Sequence, residues 1–103
     1  MAIQLIKLTS NEFDSGIITD RKTFERHLIR IILTKGLSIS PKINTVFFYP
    51  ESVSTAQRHR IHTFGQKYKM STKTRVKNGN RCISVQLTPQ YVIDLVNGYY
   101  FGN

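Results

Sequence analysis

The chain has 103 residues and a formal net charge of +9, from 15 Lys and Arg against 6 Asp and Glu, a length that allows one modest core and no second one. A hydrophobic content of 40%, with six Phe and five Tyr, excludes a disordered tail, and the basic balance selects a polyanionic partner, either nucleic acid or an anionic membrane surface. Cys82 is the single cysteine, which excludes an internal disulfide and a multi-cysteine zinc site and fits a reducing intracellular compartment.

In chain order, Ile3 to Thr9 reads as a strand with Lys7 on its exposed side, and Ser10 to Gly16 as a polar turn region. Asp20 is placed to cap a helix from about Arg21 to Lys35, with Phe24, Leu28, Ile31 and Ile32 on one stripe and Gly36 as its terminator. A loop from Leu37 to Asn44 leads into a short apolar strand, Thr45 to Tyr49, closed by Pro50. Ser52 or Ser54 caps the next helix, which runs to about Tyr68 and buries Val53, Ile61, Phe64 and Tyr68 with Ala56 at the flank.

A hairpin is expected next, Ser71–Val76 against Arg81–Leu87. The link Lys77-Asn78-Gly79-Asn80 contains Asn-Gly, whose residues accept the positive φ of a type I′ turn. Ile83, Val85 and Leu87 alternate inward, leaving Cys82, Ser84 and Gln86 outward. Thr88-Pro89 opens a short amphipathic helix carrying Tyr91, Val92, Leu95 and Val96 and ending before Gly98. The spacing assigns Phe24, Phe47, Phe48 and Phe64 to the core, and Tyr49 and Tyr68 to core or rim. No apolar run approaches the ~18–20 residues of a membrane span. The start Met1-Ala2-Ile3-Gln4 lacks the blocks of a signal peptide, so a soluble chain is expected.

Arg58 and His62 lie four residues apart on the predicted second helix, which puts a guanidinium and an imidazole on one face. Spacing alone is equally that of a solvated helix face. The surroundings favour a site: residues 58–81 hold Arg58, Arg60, Lys67, Lys69, Lys73, Arg75, Lys77 and Arg81 and no acid.

From Phe24 to about Val85 the chain resembles the R-three-H domain, named for its Arg-x-x-x-His signature. The resemblance is carried by Tyr49-Pro50, Ser52-Val53-Ser54, Arg58 with His62, Ile61, Phe64, Met70 and Arg81-Cys82-Ile83-Ser84-Val85. The elements above sum to a small mixed α/β (α+β) domain with a mostly antiparallel sheet; the resemblance implies about three strands packed on two helices, binding single-stranded RNA or DNA. Such domains are modules of larger proteins such as helicases, deadenylases and RNA-processing or transcription factors. It also implies one domain over 1–103, with its core at about 22–87 and residues 1–21 and 88–103 as an added strand and helix. The chain departs from the family pattern at Lys69, and around Val76 and Asn78, where the family usually has Gly; a common Ser appears as Thr74.

On this reading Arg58 grips a phosphate with its planar fork. His62 hydrogen-bonds a phosphate or sugar, or stacks on a base. Arg81, Lys69, Lys73, Arg75 and Lys77 extend the positive groove, and Thr74 donates a hydroxyl. Lys67 and Lys69 equally suit the helix C-terminus, and Thr74 is equally a good strand former. The hairpin carries no aromatic platform, so weak, backbone-led binding of low sequence specificity is expected, through roughly four to six phosphates and therefore salt-sensitive.

No catalytic function is expected. The six acids are scattered, no Gly-rich phosphate loop precedes a helix, and His59 with His62 lacks a third ligand, so no metal or cofactor is expected. The competing function is a protein-interaction module whose basic face binds an acidic segment. A monomer inside the cell, in the nucleus before the cytoplasm, completes the expectation.

Overall fold

A computed structural model describes residues 2–10, 18–68 and 70–101, with the backbone alone at Lys77 and Phe101. The elements in order are β1 (Ala2–Lys7), α1 (Arg21–Lys35), β2 (Ile43–Phe48), α2 (Thr55–Lys67), β3 (Ser71–Lys77), β4 (Asn80–Leu87) and α3 (Pro89–Phe101). They form one four-stranded sheet in the order β1-β2-β4-β3. Three helices accompany it, a small α+β fold. β1 runs parallel to β2, from Ala2 against Ile43 to Lys7 against Phe48. Parallel neighbours need a long crossover, which α1 supplies. The other two pairings are antiparallel.

Local chemistry sets the element ends. The Asp20 carboxylate accepts from the Thr23 amide at 2.9 Å while the Thr23 hydroxyl accepts from the Asp20 amide at 3.0 Å, a closed capping box that fixes the start of α1. Gly36 ends that helix at φ 60 and ψ 45, a left-handed conformation that glycine enters without a Cβ clash. Of the two serines, Ser54 caps α2 by accepting from the Gln57 amide at 3.2 Å. Ser52 instead shares a hydrogen bond with Ser10. The hairpin turns through Asn78 at φ 53 and Gly79 at φ 79, as a type I′ turn requires. Most of the predicted turn at 10–16 falls outside the described residues.

Several boundaries differ from expectation: β1 ends at Lys7 rather than Thr9, and β3 and β4 each reach one residue further into the turn. β2 begins at Ile43, because the parallel register to β1 recruits Ile43 and Asn44 into the ladder. α3 does not stop before Gly98 but passes through it to Phe101. A glycine inside a helix costs only about 1 kcal/mol relative to alanine, which the surrounding turns absorb.

The core lies between the sheet and the helices. Thr45, Phe47 and Tyr49 of the β2 segment and Ile83, Val85 and Leu87 of β4 are buried against Phe24, Leu28, Ile31 and Ile32 of α1, Ile61 of α2, and Val92 and Leu95 of α3. The Phe24 and Phe64 rings stack at 5.7 Å between centroids, Phe64 continues onto Tyr68, and Arg21 lies 4.8 Å over the Tyr68 ring. His27 is a core residue, its Nε2 hydrogen-bonded to the Tyr49 hydroxyl at 2.9 Å. Burial pushes its pKa down to about 4, so it is neutral in the folded chain.

Phe48 corrects the core prediction. Adjacent strand residues point to opposite faces, so a buried Phe47 sends Phe48 to the side of the sheet away from the helices. There it is half-buried, with the Arg75 guanidinium 5.3 Å from its ring centroid. That face also carries Ile3 and Leu5 of β1, 56% and 64% exposed.

Candidate nucleic-acid interface

The Arg58–His62 pair sits where α2 packs on the edge strand β3. Arg58 lies in the first turn of α2, and its guanidinium is turned inward on backbone. Nη1 donates to the Val53 carbonyl at 3.3 Å and the Arg81 carbonyl at 3.2 Å, and Nη2 to the Thr55 hydroxyl at 3.1 Å. The side chain therefore ties the start of α2 to the start of β4. Five donors minus these three leaves Nε–H and one Nη2–H without a partner among the described residues.

One turn later, His62 is held at both ring nitrogens: Nδ1 lies 2.7 Å from the Thr72 hydroxyl and Nε2 2.8 Å from the Thr74 hydroxyl. Thr72 and Thr74 are two apart on β3 and so share the face turned to α2. Burial, then His59 and Arg58, hold the His62 pKa below its ordinary value, which favours the neutral ring. A neutral imidazole donates from one nitrogen and accepts at the other. Thr72 is half-buried and Thr74 exposed. The arrangement that strands no half-buried hydroxyl proton has Thr72 donating to Nδ1 and Nε2–H donating to Thr74. The Thr74 O–H then points its proton outward. Protonation of His62 would add a charge and free the second hydroxyl proton as well.

Gly65 makes this contact possible. A Cβ there would run into the Thr72 methyl, so any other residue would displace the threonine that fixes Nδ1. Gly65 and Thr72 belong to the contact that holds His62, and the Arg-x-x-x-His pattern does not include them. Their signals were a glycine inside an amphipathic helix and a Thr-x-Thr alternation on the following strand.

The predicted basic residues do not form one groove. Arg81 shares the face of Ile83 by alternation and lies across from Val76, so it joins Arg58, His62 and Thr74 at the hairpin edge. Lys73 and Arg75 alternate to the opposite face, beside Phe48, Ser84 and Gln86. The expectation that they extend the Arg58–His62 field is therefore corrected by the pleat of β3. Lys77 ends β3 opposite Asn80, and Lys69 lies outside the described residues. Arg60 donates to the Ile18 carbonyl at 2.9 Å, and Lys67 sits 5.8 Å over the Tyr68 ring. The acid-free field also gains an acid in space, because Glu51 accepts from the Asn80 side chain at 3.0 Å.

Among the described residues, no three of His, Cys, Asp and Glu gather where a metal ion could sit. No helix of the described residues is long and apolar enough to cross a membrane. Comparison with models of known families, with curated proteins and with solved structures finds no match to this chain.

Proposed function

We propose that the chain is an R-three-H-like module that binds single-stranded nucleic acid at the hairpin edge, through Thr74, Arg81, the two remaining donors of Arg58 and the His62 ring behind them. The observation that carries this reading is the double grip on His62. Both ring nitrogens are used to aim an exposed threonine hydroxyl outward beside two arginines, an arrangement that core packing does not need. Arg58 acts mainly as the brace of this face rather than as a free clamp. Contacts are made to the backbone, since among the described residues no exposed Phe or Tyr accompanies the site, and hydroxyls and guanidinia address phosphate oxygens.

With Lys73 and Arg75 on the far face, one strand at this edge meets about two or three phosphates rather than four to six. For single strands this corresponds to a slope of log K against log salt near −1.4 to −2.1. Titrating tetrauridylate at several salt concentrations tests the reading. Arg81→Ala should flatten the slope by about 0.7 and weaken binding at low salt. An unchanged slope contradicts the assignment.

One observation favours a second reading, protein interaction: Ile3 and Leu5 lie exposed on the sheet face away from the helices, with Val46 and Phe48 beside them and Lys73 and Arg75 on the flank. A partner using that face would be lost on Leu5→Asp while hairpin-edge binding persisted.

A further inference from the structure

The strongest cationic feature outside the hairpin edge is a groove between α1 and α3. It encloses about 1310 Å³ and is lined by Lys22, Arg26, Arg30, Leu33, Tyr91 and Tyr99, among others. That volume exceeds the roughly 300–1,000 Å³ of a small-molecule pocket, so the shape suits a length of polymer rather than a compact metabolite.

Lys22, Arg26 and Arg30 are spaced four residues apart on α1 and therefore form one row, with about 6 Å of rise between successive charges. All three are exposed. None has a hydrogen bond or ion pair among the described residues. The acids of the groove are differently placed. Glu25 is bound by the Arg21 guanidinium at 2.6 Å and Asp94 by the Gln90 amide at 2.8 Å. Asp94 keeps its charge in the groove and Asp20 acts on Lys22 and Arg26 from the start of α1, but Arg21, Lys22, Arg26 and Arg30 outnumber the two lining carboxylates, Glu25 and Asp94, so the groove is net positive.

The other wall ends in aromatics. Tyr99 and Tyr100 are 57% and 59% exposed, and their rings meet edge to face at 5.1 Å and 86°. Tyr99 lines the groove with more than half of its surface open to solvent, as a ring available for stacking must be. A row of unpaired cations opposite an exposed aromatic is what a single strand needs: phosphates along the charges, a base stacked on the ring. An acidic peptide would use the cations but has no need of the platform.

From this juxtaposition we infer that the α1–α3 groove is a second binding surface for single-stranded nucleic acid, with the backbone along Lys22, Arg26 and Arg30 and a base on Tyr99. It goes beyond the hairpin-edge reading and does not depend on it. A strand long enough to reach both faces would be held at two points, and affinity would rise with oligonucleotide length beyond what one face provides.

The test is a titration of isotope-labelled protein with decauridylate at low salt, followed by amide and tyrosine-ring resonances. Shifts are expected at residues 26–34 and 95–99, with ring-current displacement at Tyr99. Arg26→Glu with Arg30→Glu should weaken binding at least ten-fold, and Tyr99→Leu about three-fold. These side chains are exposed, so unfolding is not expected; Arg26→Gln with Arg30→Gln is the gentler control and should weaken binding about three-fold. Shifts confined to residues 72–82, with less than a two-fold effect of the reversals, would overturn the groove and leave the hairpin edge standing. Shifts confined to the groove would support it and remove the hairpin edge. A decaglutamate peptide that produced the same Tyr99 displacement would overturn the nucleic-acid assignment in favour of an acidic protein segment.

Discussion

The Nε2 of His62 lies 2.8 Å from the hydroxyl oxygen of Thr74, a contact that joins α2 to an exposed edge strand through a side chain able to carry charge. Its partner contact to Thr72, at 2.7 Å, prevents the ring from turning away. With Nε2–H donating to Thr74, the Thr74 hydroxyl keeps its own proton for an outside acceptor.

Thr74→Val keeps the shape and the strand preference but deletes that donor. Binding of tetrauridylate should fall about three- to ten-fold, the worth of one ordinary solvent-exposed hydrogen bond of about 1 kcal/mol. Thr74→Ser should retain most of it. Fluorescence anisotropy of a labelled oligonucleotide reads both.

Arg58→Ala leaves the Val53 and Arg81 carbonyls without their donor and should cost about 1–3 kcal/mol of stability in urea unfolding. Removing Arg58 therefore weakens the fold as well as the site. Arg58→Lys should rescue little, because a single ammonium cannot span three separate acceptors. Equal stability of Arg58→Lys and wild type would show that charge, and not the brace, is what this position supplies.

Gly65→Ala gains helix propensity of about 1 kcal/mol yet drives a methyl into Thr72. Overpacking of about 1–3 kcal/mol should exceed the gain. The variant should melt below wild type, and the His62 ring resonances should move even without ligand. A variant that melts higher would mean the α2–β3 contact yields easily.

His27 makes the fold acid-sensitive. Its folded pKa is about 4 against an ordinary 6.5, so the unfolded chain takes up the proton first. The stability His27 contributes as a neutral ring is whole above about pH 6.5 and is lost as the pH falls toward about 4. The loss amounts to up to about 3 kcal/mol. Melting temperature measured from pH 7.5 to 4.5 should drop through that window, and His27→Gln should flatten the curve while lowering stability at pH 7.5.

Local signals made much of the architecture readable. Asp20 and Gly36 bracketed α1 because a cap and a left-handed terminator act on neighbouring residues. Asn78-Gly79 announced the hairpin for the same reason, and alternation in β4 placed Ile83, Val85 and Leu87 inward. The parallel pairing of β1 with β2 was not readable, since it depends on a crossover rather than on either strand. The site was half legible. Arg58, His62, Thr74 and Arg81 do converge, but the inward turn of the Arg58 guanidinium depends on carbonyls contributed by Val53 and Arg81, brought near only by folding. The separation of Lys73 and Arg75, by contrast, was written in the alternation of β3. So was the exposure of Phe48, which follows from burying Phe47.

The most direct measurement is the pH titration of the His62 ring resonances with and without a saturating oligonucleotide. In the free protein the ring should titrate below its ordinary pKa, from burial and the neighbouring His59 and Arg58. A phosphate beside Thr74 favours the imidazolium, so saturation should raise the pKa, and binding should tighten as the pH falls from 7.5 to 5.5. A His62 titration curve unmoved by bound oligonucleotide would contradict the account.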